Sequence, residues 1–165
     1  MYALVRHAHA GRKREWPGSR EERPLSARGW QQAQGVAENL AAFQPRRLLS
    51  SPYLRCQQTL APLSSRTMLP IEDWKLLTPD ADVVLLDRRL ADPAMEGAVL
   101  CTHGETLKAL FEFWEAHGGI HVVLNGAGRR PGDNEKGGGW LILDEPSGRT
   151  AHYVRPLHVG PVLAD

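Results

Sequence analysis

Tyr2-Ala3-Leu4-Val5-Arg6-His7 opens the chain with four apolar residues followed by two basic ones. Six residues are too few for an amphipathic helix, and a short continuous apolar run reads as a strand buried on both faces. Residues 8–25 are polar, with Gly11, Pro17, Gly18 and Pro24 among many charges. That is a long loop of the kind that carries function in a compact domain. Ser26 then stands as a helix N-cap. Trp30, Ala33, Val36, Ala37, Leu40 and Ala41 recur at helical spacing over 27–43, and Pro45 ends the run.

The same alternation repeats. Residues 47–51 read as a second strand centred on Leu48 and Leu49, and Ser51-Pro52 starts a helix over 53–65 in which Pro62 marks a kink or an early end. Residues 71–74 form a short strand, 80–90 a third helix and 98–102 another strand. A helix begins at Gly104, with Leu107, Leu110, Phe111 and Trp114 on one face, and closes at Gly118-Gly119. Residues 126–139 hold six glycines with Arg129, Arg130 and Lys136, a surface loop. Residues 140–143 and 151–155 read as late strands joined by a Pro146-Ser147-Gly148 turn. Strand and helix in alternation predict an α/β fold, a three-layer α/β/α sandwich on a mostly parallel sheet. The expected organisation is one domain over 1–158 and a C-terminal tail over 159–165.

Composition narrows the function. The chain has 165 residues, 42% hydrophobic and 24% charged, with 20 Lys+Arg against 19 Asp+Glu. This near-neutral balance, without a basic stripe, argues against nucleic acid as a partner. No apolar stretch approaches the ~20 residues that span a bilayer, so no membrane partner is expected. Cys56 and Cys101 lack C-x-x-C spacing, and two reduced buried thiols fit a cytoplasmic protein.

In a parallel α/β sheet, ligands sit beyond the C-terminal strand ends. That rule selects Arg6-His7, the 50–55 stretch and Thr102-His103-Gly104-Glu105. Two guanidiniums, Arg6 and Arg55, and two imidazoles, His7 and His103, at one mouth make an anion site. Arg offers paired N–H donors in a planar fork, and the helix starts near Pro52 and Gly104 add amides and dipole. Nearby arginines keep a histidine neutral at pH 7, available as a nucleophile toward phosphorus. The scheme needs no metal and no cofactor.

Four segments carry a resemblance. Leu4-Val5-Arg6-His7-Ala8, Arg23-Pro24-Leu25-Ser26 with Gly29 and Gln32, Ser51-Pro52-Tyr53-Leu54-Arg55-Cys56-Gln57-Gln58-Thr59, and Thr102-His103-Gly104-Glu105 together resemble the histidine phosphatase superfamily, of phosphoglycerate mutase-like fold. They fall in the family order over about the first hundred residues. The short length and Leu77-Thr78-Pro79 look most like the phosphohistidine phosphatase branch. Arg55-Cys56-x-Gln-Thr and Lys136-Gly137-Gly138-Gly139-Trp140 look most like the phosphatase half of Nudix-fused nucleotide enzymes.

The resemblance implies a metal-independent phosphatase with a phosphohistidine intermediate on His7. Arg6, Arg55 and His103 would bind the phosphoryl oxygens. Substrates in view are a phosphorylated small molecule, a nucleotide or a phosphohistidine protein. Position 104 is Gly where the acid phosphatase branch carries Asp, so the general acid is open among Glu105, Asp80 and Asp82, with Glu105 set in the catalytic group. Arg23 is a substrate-binding candidate or an anchor for the helix that follows. His7-Ala8-His9 as a metal pair is the weaker reading, because barrel hydrolases with such a pair need about 250 residues. The alternative function is a non-catalytic phosphate-binding module on the same fold. Trp114 and Trp140 read as core, Cys56 and Cys101 as buried thiols rather than a redox switch.

Overall fold

A computed structural model describes residues 1–123 and 134–160. Strands β1 (Tyr2–Arg6), β2 (Arg47–Ser50), β3 (Ile71–Asp73), β4 (Ala98–Thr102), β5 (His121–Val123), β6 (Gly139–Glu145) and β7 (Gly148–Val154) form one sheet in the order β3-β2-β4-β1-β6-β7-β5. The pairs β3–β2, β2–β4, β4–β1 and β7–β5 are parallel, while β6 runs antiparallel to β1 and β7. The expected α/β architecture with a mostly parallel sheet is what the chain adopts.

Helices α1 (Ala27–Leu40) and α2 (Leu54–Thr67) cover one face, and α3 (Val83–Leu90) and α4 (Gly104–His117) the other. Alternation along β1 explains its continuous apolar run. Tyr2 and Leu4 join the core with Leu86, Leu90, Leu107, Phe111, Trp114 and Trp140. Ala3 and Val5 join the opposite core with Val36, Leu40, Cys56, Leu60 and Leu63. Each buried Leu contributes about 1.5–3 kcal/mol.

Local chemistry sets the element ends. Ser26 Oγ accepts from Gly29 N–H at 3.1 Å to cap α1. Asp82 Oδ1 accepts from Leu85 N–H at 3.0 Å, so the third helix starts at Val83 rather than at 80. Pro62 lies inside α2 without ending it, and the helix runs on to Thr67 with Leu60 and Leu63 buried on either side of the proline. Trp30, expected on the inward face, is 40% exposed. The face instead closes on small residues, because a Cβ at Gly29 would lie 1.9 Å from the His9 carbonyl oxygen. Strand β5 has only three residues, and the sequence reading did not contain it. Of the glycine-rich stretch, 134–138 form a turn and Gly139 begins β6; Arg129 and Arg130 lie outside the described residues. Of the expected tail, Val159 N–H donates to Gln31 O at 3.4 Å, and 161–165 lie outside the described residues.

Candidate active site

Because β1, β2 and β4 are parallel, their C-terminal ends open on the same side. The ladder continues one residue past β1 and β2: His7 N–H donates to Thr102 O at 2.9 Å and Ser51 N–H to Cys101 O at 3.0 Å. These bonds fix His7, Ser51 and His103 side by side. Arg55 enters from the first turn of α2. His7, Arg55 and His103 are all buried, and the two imidazoles stand 5.3 Å apart, edge to face.

The hydrogen bonds assign the tautomers. His7 Nδ1 lies 2.8 Å from Ala8 O; a carbonyl only accepts, so Nδ1 carries the proton and Nε2 the lone pair. Arg55 Nε–H donates to that Nε2 at 3.3 Å. Arg55 Nη2 donates to His103 Nδ1 at 3.2 Å, and its Nη1 to Arg20 O at 2.7 Å. A guanidinium has no acceptor, so His103 keeps its proton on Nε2 and donates it to Ser51 Oγ at 2.9 Å. Both histidines are neutral. Burial first, then His103, Arg55 and Arg6, hold His7 well below the ordinary histidine value. Burial first, then Arg55, Arg20, Arg23 and Arg6, push His103 down to about 3. The expected effect of the arginines is present, with desolvation the larger cause.

Arg6 reaches the mouth from the end of β1, half-buried. Its Nη1 donates to Asn134 O at 2.7 Å, and its buried Nε has no hydrogen-bond partner among the described residues. Gly104 makes room for it: a Cβ there would sit 2.9 Å from the Arg6 guanidinium carbon. A side chain at 104 would require the Arg6 guanidinium to shift.

Arg23 Nη1 donates to Ala10 O at 2.7 Å and Gly11 O at 3.2 Å, so it anchors the loop, while its buried Nε has no described partner. Glu105 is on the first turn of α4, its side chain 66% exposed and 3.8 Å from Arg20 across the mouth. Asp80 and Glu21 lie close enough to Tyr53 that, after burial, they help to raise its phenol pKa. Asp82 is engaged as the α3 cap. His9 Nδ1 is 2.7 Å from Ser26 Oγ, tying the loop to α1.

One helix start differs from expectation. The first amide of α2, Leu54 N–H, donates to Glu21 O at 2.9 Å, so the loop takes the donor that was to face an anion. Several supporting residues had no role in the sequence reading. Tyr53 lies edge-on to His103 at 4.8 Å with the Arg55 guanidinium 4.7 Å above its ring. Thr59 Oγ1 accepts from Ala8 N–H at 3.0 Å and donates to Arg55 O at 2.6 Å, joining the segment after His7 to the helix that carries Arg55. Ser51, Tyr53 and Thr59 stand within the quoted 51–59 segment; nothing local marked Asn134.

Two neutral histidines and two arginines thus gather at the C-terminal ends of the parallel strands in one cationic mouth. Residues 2–78 match the family model of the histidine phosphatase superfamily, branch 1. The protein histidine phosphatase SixA, solved with tungstate, has a TM-score of 0.73 and 21% identity, covering 94% of this chain and 96% of that one. Mycobacterial glucosyl-3-phosphoglycerate phosphatase has a TM-score of 0.64 and 15% identity, covering 96% of this chain and 99% of that one. These two likenesses concern the fold. The 8-oxo-(d)GTP phosphatase of Mycolicibacterium smegmatis is 31% identical over 159 residues, 93% of this chain and 47% of that protein. The chain thus spans about half the length of that curated relative. No helix among the described residues is long and apolar enough to cross a membrane.

Proposed function

We propose that the protein is a metal-independent phosphatase in which His7 Nε2 attacks the phosphorus of a phosphorylated small molecule, nucleotide or phosphohistidine protein. The observation that carries this reading is the Nδ1–H bond from His7 to Ala8 O, which leaves Nε2 unprotonated beneath Arg55. Arg55 donates to neutral ring nitrogens, which are weaker acceptors than phosphoryl oxygens. An incoming phosphoryl group draws the guanidinium to itself and frees the Nε2 lone pair. The P–N bond forms, the bond to the leaving group breaks, and Arg6, Arg55 and His103 hold the equatorial oxygens. Water then adds to phosphorus and releases orthophosphate. For ester leaving groups the general acid is Glu105, at the mouth opposite Arg20, or Asp80, since Asp82 is engaged as a cap. Arg23 binds the substrate at the rim.

The name of the curated relative, an 8-oxo-(d)GTP phosphatase, supports this reading. Free, buried Cys56 and Cys101 support a cytoplasmic setting. The test is phosphate release from an aryl phosphate in EDTA. His7→Ala is expected to lower kcat at least about 10³-fold and to abolish labelling by a radioactive phosphoryl donor. Equal turnover in wild type and variant overturns the nucleophile assignment. A folded wild type that binds phosphate without releasing it points to the binding module instead.

A further inference from the structure

The loop that follows His7 borders an open cavity of about 560 Å³, within the size range of small-molecule sites. Arg12, Lys13, Arg14, Arg23 and Lys136 line it, with Glu15 the carboxylate among its described lining residues. Glu15 sits 3.2 Å from Arg12, which leaves the lining strongly positive.

The cavity has two walls that are chain segments leading into the phosphoryl site. Its first wall is the 9–15 loop, which starts two residues after His7. Its second wall is Lys136, in a turn bound directly to the end of β1. Arg6 N–H donates to Gly138 O at 2.9 Å, Gly137 N–H to Arg6 O at 3.1 Å and Arg6 Nη1 to Asn134 O at 2.7 Å. Arg23 belongs to both places: it lines the cavity, and its charge is felt at His103 and Arg55.

A second observation concerns the leaving group. None of the hydrogen bonds made by His7, Arg55 or His103 among the described residues goes to a carboxylate. A leaving group that departs without a proton makes no demand on an acid at the rim. A phosphate monoester, whose second pKa is about 6, leaves as a dianion at neutral pH and needs no acid. It also carries the negative charge that the neighbouring cations would receive.

We infer that the cavity binds the penultimate phosphate of a diphosphate-bearing small molecule, and that His7 cleaves the terminal phosphoanhydride. This deepens the phosphatase reading and rests on it. The P–N bond forms at the terminal phosphorus. The bond from that phosphorus to the bridging oxygen breaks, and the electron pair leaves with the inner phosphate. Water adds to the phosphohistidine, gives orthophosphate, and its proton passes to solvent.

The experiment has a binding arm and a turnover arm, both in EDTA. In calorimetry, the His7→Ala protein is titrated with orthophosphate, inorganic pyrophosphate, a nucleoside monophosphate and the matching nucleoside diphosphate. Each diphosphate is expected to bind at least about tenfold tighter than its single-phosphate counterpart. Lys13→Gln with Lys136→Gln, folded by circular dichroism, is expected to erase that ratio. Equal affinities, or a ratio untouched by the two replacements, overturn the inference. In turnover, wild type is expected to convert the nucleoside diphosphate to monophosphate and orthophosphate with kcat/KM at least about tenfold above that for the monophosphate. A preference for pyrophosphate alone assigns the source as inorganic, and a preference for the nucleotide assigns it as a nucleotide. An equal rate on mono- and diphosphate overturns the inference while leaving the phosphatase reading intact. Loss of aryl phosphate turnover in wild type sinks the phosphatase reading, and the binding arm alone then decides the subsite.

Discussion

Arg55 and the cations of the 12–23 loop face the same mouth in opposite settings. Arg55 is 2% exposed and spends its donors on two imidazoles and a backbone carbonyl. Arg12, on the loop, has a side chain 80% exposed and pairs with Glu15. Arg20 pairs with Glu105 across the mouth. In the buried cradle, Arg55 and Arg6 have no carboxylate partner among the described residues, and their charge, poorly screened, adds to burial in depressing the neighbouring histidines. On the loop, water and Glu15 screen Arg12, while Arg20 and Arg23, nearer the cradle, still add to the field at His103. The same residue type therefore serves bond-making in one place and recognition in the other. Burial decides which.

Arg55→Lys gives the largest effect that would sharpen this contrast. A lysine keeps the charge but loses the planar fork, and kcat for aryl phosphate should fall about 10²-fold. If lysine sustains full turnover, charge alone suffices and the cradle is not distinguished from the loop by geometry.

The next concerns pH. His7 and His103 are held neutral in the fold, His103 at about 3 and His7 well below its ordinary value. The unfolded chain then binds more protons than the folded one below pH 6.5. Stability is full above that value and falls as pH drops, His103 contributing about 1.4 kcal/mol per pH unit down toward pH 3 and His7 adding in the same direction. Thermal melts from pH 7 to pH 4 should show this fall, and His103→Asn should flatten it. A melting temperature indifferent to pH over that range would mean that the imidazoles are not desolvated.

Glu105→Gln separates rim from cradle. Turnover of an alkyl phosphate, whose leaving group needs a proton, should fall about tenfold, with aryl phosphate affected less. Equal losses on both would reassign Glu105 to holding Arg20.

The smallest expected effect is Asp82→Ala. Loss of the cap on α3 should cost about 1 kcal/mol in denaturant unfolding, with aryl phosphate turnover unchanged within twofold. A large catalytic loss would return Asp82 to the list of acids.

Much of this was legible in the chain. Arg6, His7 and His103 each follow a short apolar run, and Arg55 follows Ser51-Pro52 after another. Strand-end geometry does the rest once the sheet is parallel. The helices over 27–40, 54–67 and 104–117 announced themselves by apolar spacing and end signals. Trp30 misled, because helical spacing marks a stripe without saying where close packing on a backbone replaces a large side chain with glycine. β5 escaped because three residues carry too little pattern, and it exists only by pairing with β7. Thr59 and Tyr53 lay inside a recognised segment, but their roles depend on Ala8 and His103 from other strands.

The sequence by itself determined the alternation of strand and helix, the chemical types at three strand ends and the absence of a field that would favour nucleic acid. Those are properties of neighbours along the chain, where apolar periodicity and charge are written directly. Only the tertiary structure decided which nitrogen of His7 is free, that residue 104 lies against the Arg6 guanidinium, which of the three carboxylates caps a helix, and that Lys136 comes to the loop beside His7. Each depends on groups far apart in sequence meeting at hydrogen-bond or van der Waals distance, and no local pattern encodes that meeting.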